Sequence, residues 1–201
     1  NTDNLRIARK SPCLFLSVSQ NPMTIIAPVL IFDLETQHLA DEVGGWENIA
    51  AMKLACAVTC NLSSGEFTDY LEADAPKLLA DLRAASLVVG FNVQRFDYEV
   101  LRPYAGAQLQ LPTVDMLAII YQTLGFRLPL DSVAAATLGH SKTADGVSAV
   151  SWYKSGELRN LLDYCRQDVQ VTRELYEYGK TNKCLKYRDK SGRVKLVAVK
   201  W

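Results

Sequence analysis

Histidine is scarce in this chain of 201 residues, with only His38 and His140. A Cys/His zinc cage therefore has too few imidazoles to draw on. Net charge is also missing, because 22 basic residues balance 22 acidic ones. No global field gathers a polyanion, so any polyanion partner must be met by locally concentrated bases or through metal ions. No run of about 18 apolar residues occurs, which leaves no candidate membrane helix. Residues 11–31 are fairly apolar, but Pro12, Gln20, Asn21 and Pro22 break them up, and no cleavable signal is evident. The five cysteines are an odd number without framework spacing. Cys56 and Cys60 sit in an apolar run and Cys165 in a helical pattern, as expected of buried free thiols in a reducing compartment, here the cytoplasm. Internal repeats and low-complexity linkers are absent as well.

What is present suits one domain with a sizeable core. The first residue is Asn, and Met23 stands just ahead of an apolar run, so residues 1–22 are expected to be a leader or vector-derived extension and 23–201 the single domain. Residues 29–32, 53–62 and 66–71 read as strands, the last two separated by the turn signal Ser63-Ser64-Gly65. These three suit an antiparallel meander. Residues 74–85 have helical spacing, 87–91 form a short apolar strand, and a short helix follows from Asp97. Residues 115–124 and 131–138 read as helices, and 156–178 is the strongest helix. Residues 193–201 are expected to add an edge strand. From 180 to 200 the chain carries eight bases against the single acid Asp189. Two readings stand for this segment, a polyanion-binding surface or a solvated tail. The whole is an α/β pattern of strands followed by helices.

Three acidic motifs carry the chemistry. Ile31-Phe32-Asp33-Leu34-Glu35-Thr36 places two carboxylates at a strand end. Residues two apart share a strand face, roughly 7 Å apart at the backbone. Two carboxylates converging there repel unless a cation joins them, and hard oxygen ligands suit Mg²⁺ or Mn²⁺. The bland alternative is a strand running into a polar loop. In the second motif, 88–97, an apolar strand runs through Asn92 and Phe96 into Asp97, which is either a helix cap or a ligand. In the third, Tyr164 and Asp168 stand four apart on one helix face close to the core. They are either a structural hydrogen-bonded pair or part of a site, since an acid on an apolar face is costly unless paired or metal-bound.

Taken in order, these motifs resemble the DEDD exonuclease superfamily, which includes polymerase proofreading domains and enzymes similar to ribonucleases D and T. Asp33 and Glu35 match the first motif, Asn92 and Asp97 the second, Tyr164 and Asp168 the third. Asp163 stands where one branch carries histidine, so the pattern is similar to the tyrosine (DEDDy) branch. Gly44-Gly45-Trp46, Leu138-Gly139, Trp152-Tyr153 and the stretch around Asp168-Val169 look like a bacterial subgroup whose members occur alone or fused to helicases. The likeness covers about residues 27–201. One departure is the stretch from Asn92 to Asp97, a residue longer than in many proofreading domains.

The resemblance implies a ribonuclease-H-like fold, with three antiparallel strands and then parallel ones in a mixed sheet flanked by helices. It implies a 3′–5′ exonuclease acting on a single-stranded DNA or RNA 3′ end with two divalent cations, Mg²⁺ or Mn²⁺, and releasing nucleoside 5′-monophosphates. Asp33 would bridge both ions, Glu35 and Asp168 would hold the nucleophile-side ion, and Asp97 would act on the other. Tyr164 would orient the attacking water. Thr36, Leu39, Asn92, Phe96 and Lys142 are candidate substrate contacts, with Phe91 and Arg166 behind them. Ordinary packing or solvation is the alternative for each. A helicase or polymerase partner is implied by the subgroup, and a non-catalytic nucleic-acid- or helicase-binding module on the same fold is the competing class.

Overall fold

The computed structural model describes residues 27–139 and 146–201. The expected leader, the Met23 start and Lys142 lie outside the described residues. At the centre is a five-stranded sheet in the order β3-β2-β1-β4-β5. Strand β1 (Val29–Thr36) pairs antiparallel with β2 (Leu54–Asn61), and β2 pairs antiparallel with β3 (Phe67–Leu71). On its other side β1 pairs parallel with β4 (Leu87–Gly90), which pairs parallel with β5 (Thr113–Asp115). This is the expected meander followed by parallel strands.

Strand alternation divides the core. Leu30, Phe32 and Leu34 of β1 face α1 (Ala75–Ala84) and α2 (Asp97–Ala105). Ile31 faces the opposite layer of α3 (Met116–Leu124), α4 (Leu130–Thr137), α5 (Gly146–Ser155) and α6 (Leu158–Asn182). Asp33 and Glu35 continue the Ile31 face, so period-two geometry aims them at the layer that contains α6. A register shift between Glu35 and Thr36 ends the regular β1–β2 pairing, and two 3-10 turns, Ala40–Val43 and Trp46–Met52, follow.

Helix α6 buries a stripe of Leu161, Tyr164, Cys165, Val169, Thr172, Leu175 and Tyr176 at helical spacing. Its partners are the sheet and the C-terminal hairpin, β6 (Cys184–Arg188) with β7 (Val194–Ala198). Here the expectation for 193–201 is corrected. The segment does not extend the main sheet. It pairs with 184–188, because a tight turn brings that partner close at little loop-closure cost. Asp189 builds the turn by accepting from the Ser191 and Arg193 amides at 2.9 and 3.1 Å. Helix α5 was also not expected, since Gly146-Val147-Ser148 has weak helix propensity; its Ala149 and Val150 are held by burial.

Gly90 sets how closely the β4–α2 loop lies on β1. A Cβ there would stand 2.1 Å from Val93 Cγ1 and 2.9 Å from the Phe32 carbonyl oxygen. Gly90→Ala should therefore lower unfolding stability by about 2–4 kcal/mol, read by denaturant titration. Adding Val93→Ala should restore only part of the loss, because the Phe32 backbone remains in the way. A single variant as stable as the parent would contradict this packing.

Candidate active site

The C-terminal ends of the parallel strands β1 and β4 open into a cleft of about 690 Å³, the usual place for a ligand in an α/β sheet. Asp33, Glu35, Asp97, Tyr164 and Asp168 all line it, as do Thr36, Leu39, Asn92 and Phe96. Residues from β1, the start of α2 and the first half of α6 are thus brought to one place. Carboxylate oxygens of Asp33, Glu35 and Asp168 lie within 4.8 Å of one another.

Burial and mutual repulsion govern the electrostatics. The Asp33 carboxyl is pushed well above the usual carboxylate range by desolvation, then by Asp97, Asp168 and Glu35. Asp97 is 2% exposed. Desolvation pushes its pKa up to about 8, with Asp115 adding repulsion and the Asp97 and Leu34 amides opposing. Its Oδ1 is buried without a hydrogen-bond partner among the described residues. The cap reading for Asp97 is corrected: Phe96 holds the N-cap position of α2, and no side-chain cap bond forms there. A buried carboxylate with an orphaned oxygen beside three converging carboxylates fits a hard divalent cation.

Tyr164 is buried, tilted against Trp152 with ring centroids 6.0 Å apart, and its hydroxyl donates to Asp168. Desolvation first, then Asp168 and Glu35, raises its pKa, so the hydroxyl stays protonated at neutral pH. Cys165 lies beneath the cluster, its thiol 3.5 Å from the Asp33 carbonyl oxygen and 3.8 Å from Asp33 Oδ2. Burial and the neighbouring Cys56 raise this thiol too, as expected of an inert buried sulfur.

Asp115 caps α3 and also braces a second loop. It accepts from the Ala118 amide of α3 at 3.1 Å, and also from the Asn92 and Gln94 amides at 2.9 and 3.1 Å. One carboxylate so fixes the loop that carries Asn92 and Phe96, with Asn92 held at φ 74°. Arg127 and Trp46 also line the cleft, and neither shows this locally in the sequence. Arg127 donates from Nη2 to Asn92 Oδ1 at 2.5 Å. Trp46, 66% exposed, lies with its ring centroid 6.3 Å from that of Phe96. Trp46, Phe96, Asn92, Arg127, Ile49 and Arg95 line an adjoining groove of about 340 Å³ that continues the cleft. Only the fold brings 46, 95 and 127 together. Arg166 is not at the cleft: it grips Asp69 with contacts of 2.6 and 2.7 Å and covers the Phe67 ring. Phe91 packs against the core and also lines the cleft, and His38 lies on its wall.

Removing the charge of Asp97 should stabilise the protein in chelator. Its folded pKa is raised, so between about pH 4 and pH 8 the folded state binds more protons than the unfolded, and stability falls as pH rises through that window. In EDTA, Asp97→Asn should melt several degrees above the parent at pH 8, by about 1–3 kcal/mol, with the gap closing toward pH 4. Thermal melts across that range test this; a gap that does not change with pH would refute it.

Comparisons with known proteins agree with this architecture. Residues 30–179 match the family model of the RNase H superfamily. No curated protein matches the sequence. Among solved structures, the family B DNA polymerase from the hyperthermophilic archaeon Pyrobaculum calidifontis is similar in fold, with a TM-score of 0.59 at 16% identity. The match covers 77% of this chain and 25% of the polymerase, so this chain corresponds to about a quarter of that enzyme. With a mixed sheet in the order described, helices on both faces and a family match over most of its length, this chain belongs to the RNase H superfamily.

Proposed function

We propose that this chain is a two-metal-ion 3′–5′ exonuclease of the tyrosine (DEDDy) branch, removing nucleoside 5′-monophosphates from the 3′ end of single-stranded nucleic acid. The observation that carries the reading is the meeting of the Asp33, Glu35 and Asp168 carboxylates within 4.8 Å, beside the orphaned Oδ1 of Asp97. Asp33, with Asp97, Asp168 and Glu35 around it, would help to hold both cations, Mg²⁺ or Mn²⁺. Glu35 and Asp168 would complete one site, and Asp97 would serve the other. Such a pair of ions supplies a hydroxide nucleophile and steadies the departing 3′ oxygen.

The protein's own groups do the rest. Tyr164 is held by Asp168 and Trp152 and stays protonated, so it orients water by hydrogen bonding instead of removing its proton. Thr36, at the end of β1, and Leu39, just after it, line the cleft, which supports a role for both in contacting the terminal nucleotide. Asn92, braced by Asp115 and Arg127, faces the same space. The Trp46–Phe96 pair offers base faces a stacking surface, and Arg95 and Arg127 offer cations to phosphates, as single-strand binders do. Lys142, outside the described residues, remains a candidate phosphate contact. The fold likeness to part of a DNA polymerase supports a nucleic-acid substrate and leaves a helicase or polymerase partner in view. Buried Cys56, Cys60 and Cys165 suit a reducing compartment such as the cytoplasm.

A 5′-labelled oligonucleotide, as DNA and as RNA, with Mg²⁺ or Mn²⁺ tests the reading. Stepwise shortening from the 3′ end is expected, lost by more than about 10³-fold in Asp33→Ala and Asp168→Ala. Tyr164→Phe should lower kcat by about 10²-fold with little change in KM. No cleavage by the parent protein, or equal cleavage by the aspartate variants, would overturn it and favour a non-catalytic binding module.

Trp46→Ala separates substrate grip from chemistry. It should raise KM for a single strand about tenfold, from the loss of one stacked base, and leave kcat nearly unchanged. A fall in kcat with constant KM would place Trp46 in the chemistry instead.

A further inference from the structure

The C-terminal hairpin collects charge that the rest of the chain lacks. Residues 180–200 hold eight bases and one acid, leaving the remainder of a neutral chain with seven more acids than bases. The single acid, Asp189, is engaged inside the turn by Ser191 and Arg193. Lys183, Arg188, Lys190, Arg193, Lys195 and Lys200 are all exposed.

The hairpin is held firmly enough to present those charges. Leu185, Val197 and Val199 are buried against α3, α4 and α6. Thr137 of α4 exchanges hydrogen bonds with the backbone of Lys186, donating at 3.1 Å and accepting at 2.9 Å. Trp201 stacks on Tyr176 and donates to its carbonyl at 3.1 Å, in space that the lack of a Cβ at Gly179 leaves open. By strand alternation, Lys186, Arg188, Val194 and Leu196 share the face opposite the buried Leu185 and Val197. Leu196 is 65% exposed there. The result is an apolar strip with cations beside it and no acid.

The hairpin is joined to the cleft through its other face. The Phe126 ring meets that of Tyr187 edge-on, with centroids 6.0 Å apart, and the next residue, Arg127, lines the cleft. Leu130 and Asp131, at the start of α4, line the cleft as well, while α4 packs on β6. From Asp168 to Lys183 is about 22 Å along the α6 axis.

We infer that the hairpin is a second nucleic-acid-binding surface, which holds the strand several nucleotides 5′ of the end engaged in the cleft. The inference rests on the exonuclease reading for its substrate, and it adds a length requirement that the cleft alone would not impose. The cleft walls are crowded with carboxylates and repel a polyanion, so the affinity for a long strand comes from this distant cationic strip. Phosphates lie along the lysines and arginines, and base faces meet Val194 and Leu196. An acidic protein or a second copy of this chain would be the other occupant of such a surface; the link through Phe126 and Arg127 to a nucleotide-sized cleft favours the strand.

The test uses the full chain with Lys186, Lys190 and Lys200 all changed to Gln: Lys186 lies on the strip face, Lys190 and Lys200 are exposed, and none of the three side chains makes a hydrogen bond in the turn built by Asp189. Binding of a fluorescent single-stranded 20-mer is read by anisotropy in EDTA, so it does not depend on cleavage. The triple variant should bind about 10-fold or more weakly at 50 mM salt, and the slope of log K against log salt should shrink by about 2, at roughly 0.7 per phosphate contact. The matching triple Arg variant should bind as the parent does. With metal present, kcat/KM should fall for the 20-mer and not for a 4-mer. Unchanged 20-mer affinity and salt slope would overturn the inference, as would equal losses on the 4-mer. Failure of the parent to cut either oligonucleotide would instead count against the exonuclease reading, leaving the binding result to judge the hairpin.

Discussion

Four carboxylates crowd the end of the central strand pair, and three of them come within 4.8 Å of each other. Nothing in the electrostatics of the protein alone favours this. Asp33 and Asp97 are both pushed toward their neutral forms, chiefly by the loss of solvent. The surrounding scaffold must therefore hold the cluster against its own repulsion. Two apolar layers on the two faces of β1 do this, and they leave Asp33 and Glu35 only one direction to point.

Several apparently separate features serve the same constraint. Gly90 lets the β4–α2 loop press against β1, and Asp115 pins that loop by its amides, so Asp97 arrives at a fixed depth. The long α6 crosses the sheet with a buried stripe on one side, which carries Tyr164 and Asp168 inward together. Lys154 of α5 pairs with Glu42 in the turn after β1, tying two walls of the cleft. Stability stored in these packed layers offsets the cost of the site, the usual relation between a rigid scaffold and a strained functional centre.

Charge is distributed with the same logic on a larger scale. A chain with no net charge is polarised into an acidic body and a basic hairpin. The clustered acids of the cleft and the bases of the hairpin are thereby kept apart, so that neither neutralises the other. The groove lined by Trp46, Phe96, Arg95 and Arg127 lies beside the acids and offers aromatic and cationic contacts in place of a strong basic field.

Local rules determined much of this protein from sequence. Period two along β1 placed Asp33 and Glu35 on one face, and the four-residue step on α6 placed Tyr164 with Asp168, because both relations depend only on backbone geometry. The order of strands and helices carried the fold class for the same reason. Tertiary structure decided what depends on distant neighbours. Asp97 reads as a helix cap by position, and only burial beside Asp33 turns it into an orphaned carboxylate. Residues 193–201 read as a sheet edge, yet the partner they pair with is the adjacent 184–188 segment. Arg127 and Trp46 carry no local signal of their position at all. They reach the cleft because the chain returns to it from two distant turns, and no pattern of period two or 3.6 records such a meeting.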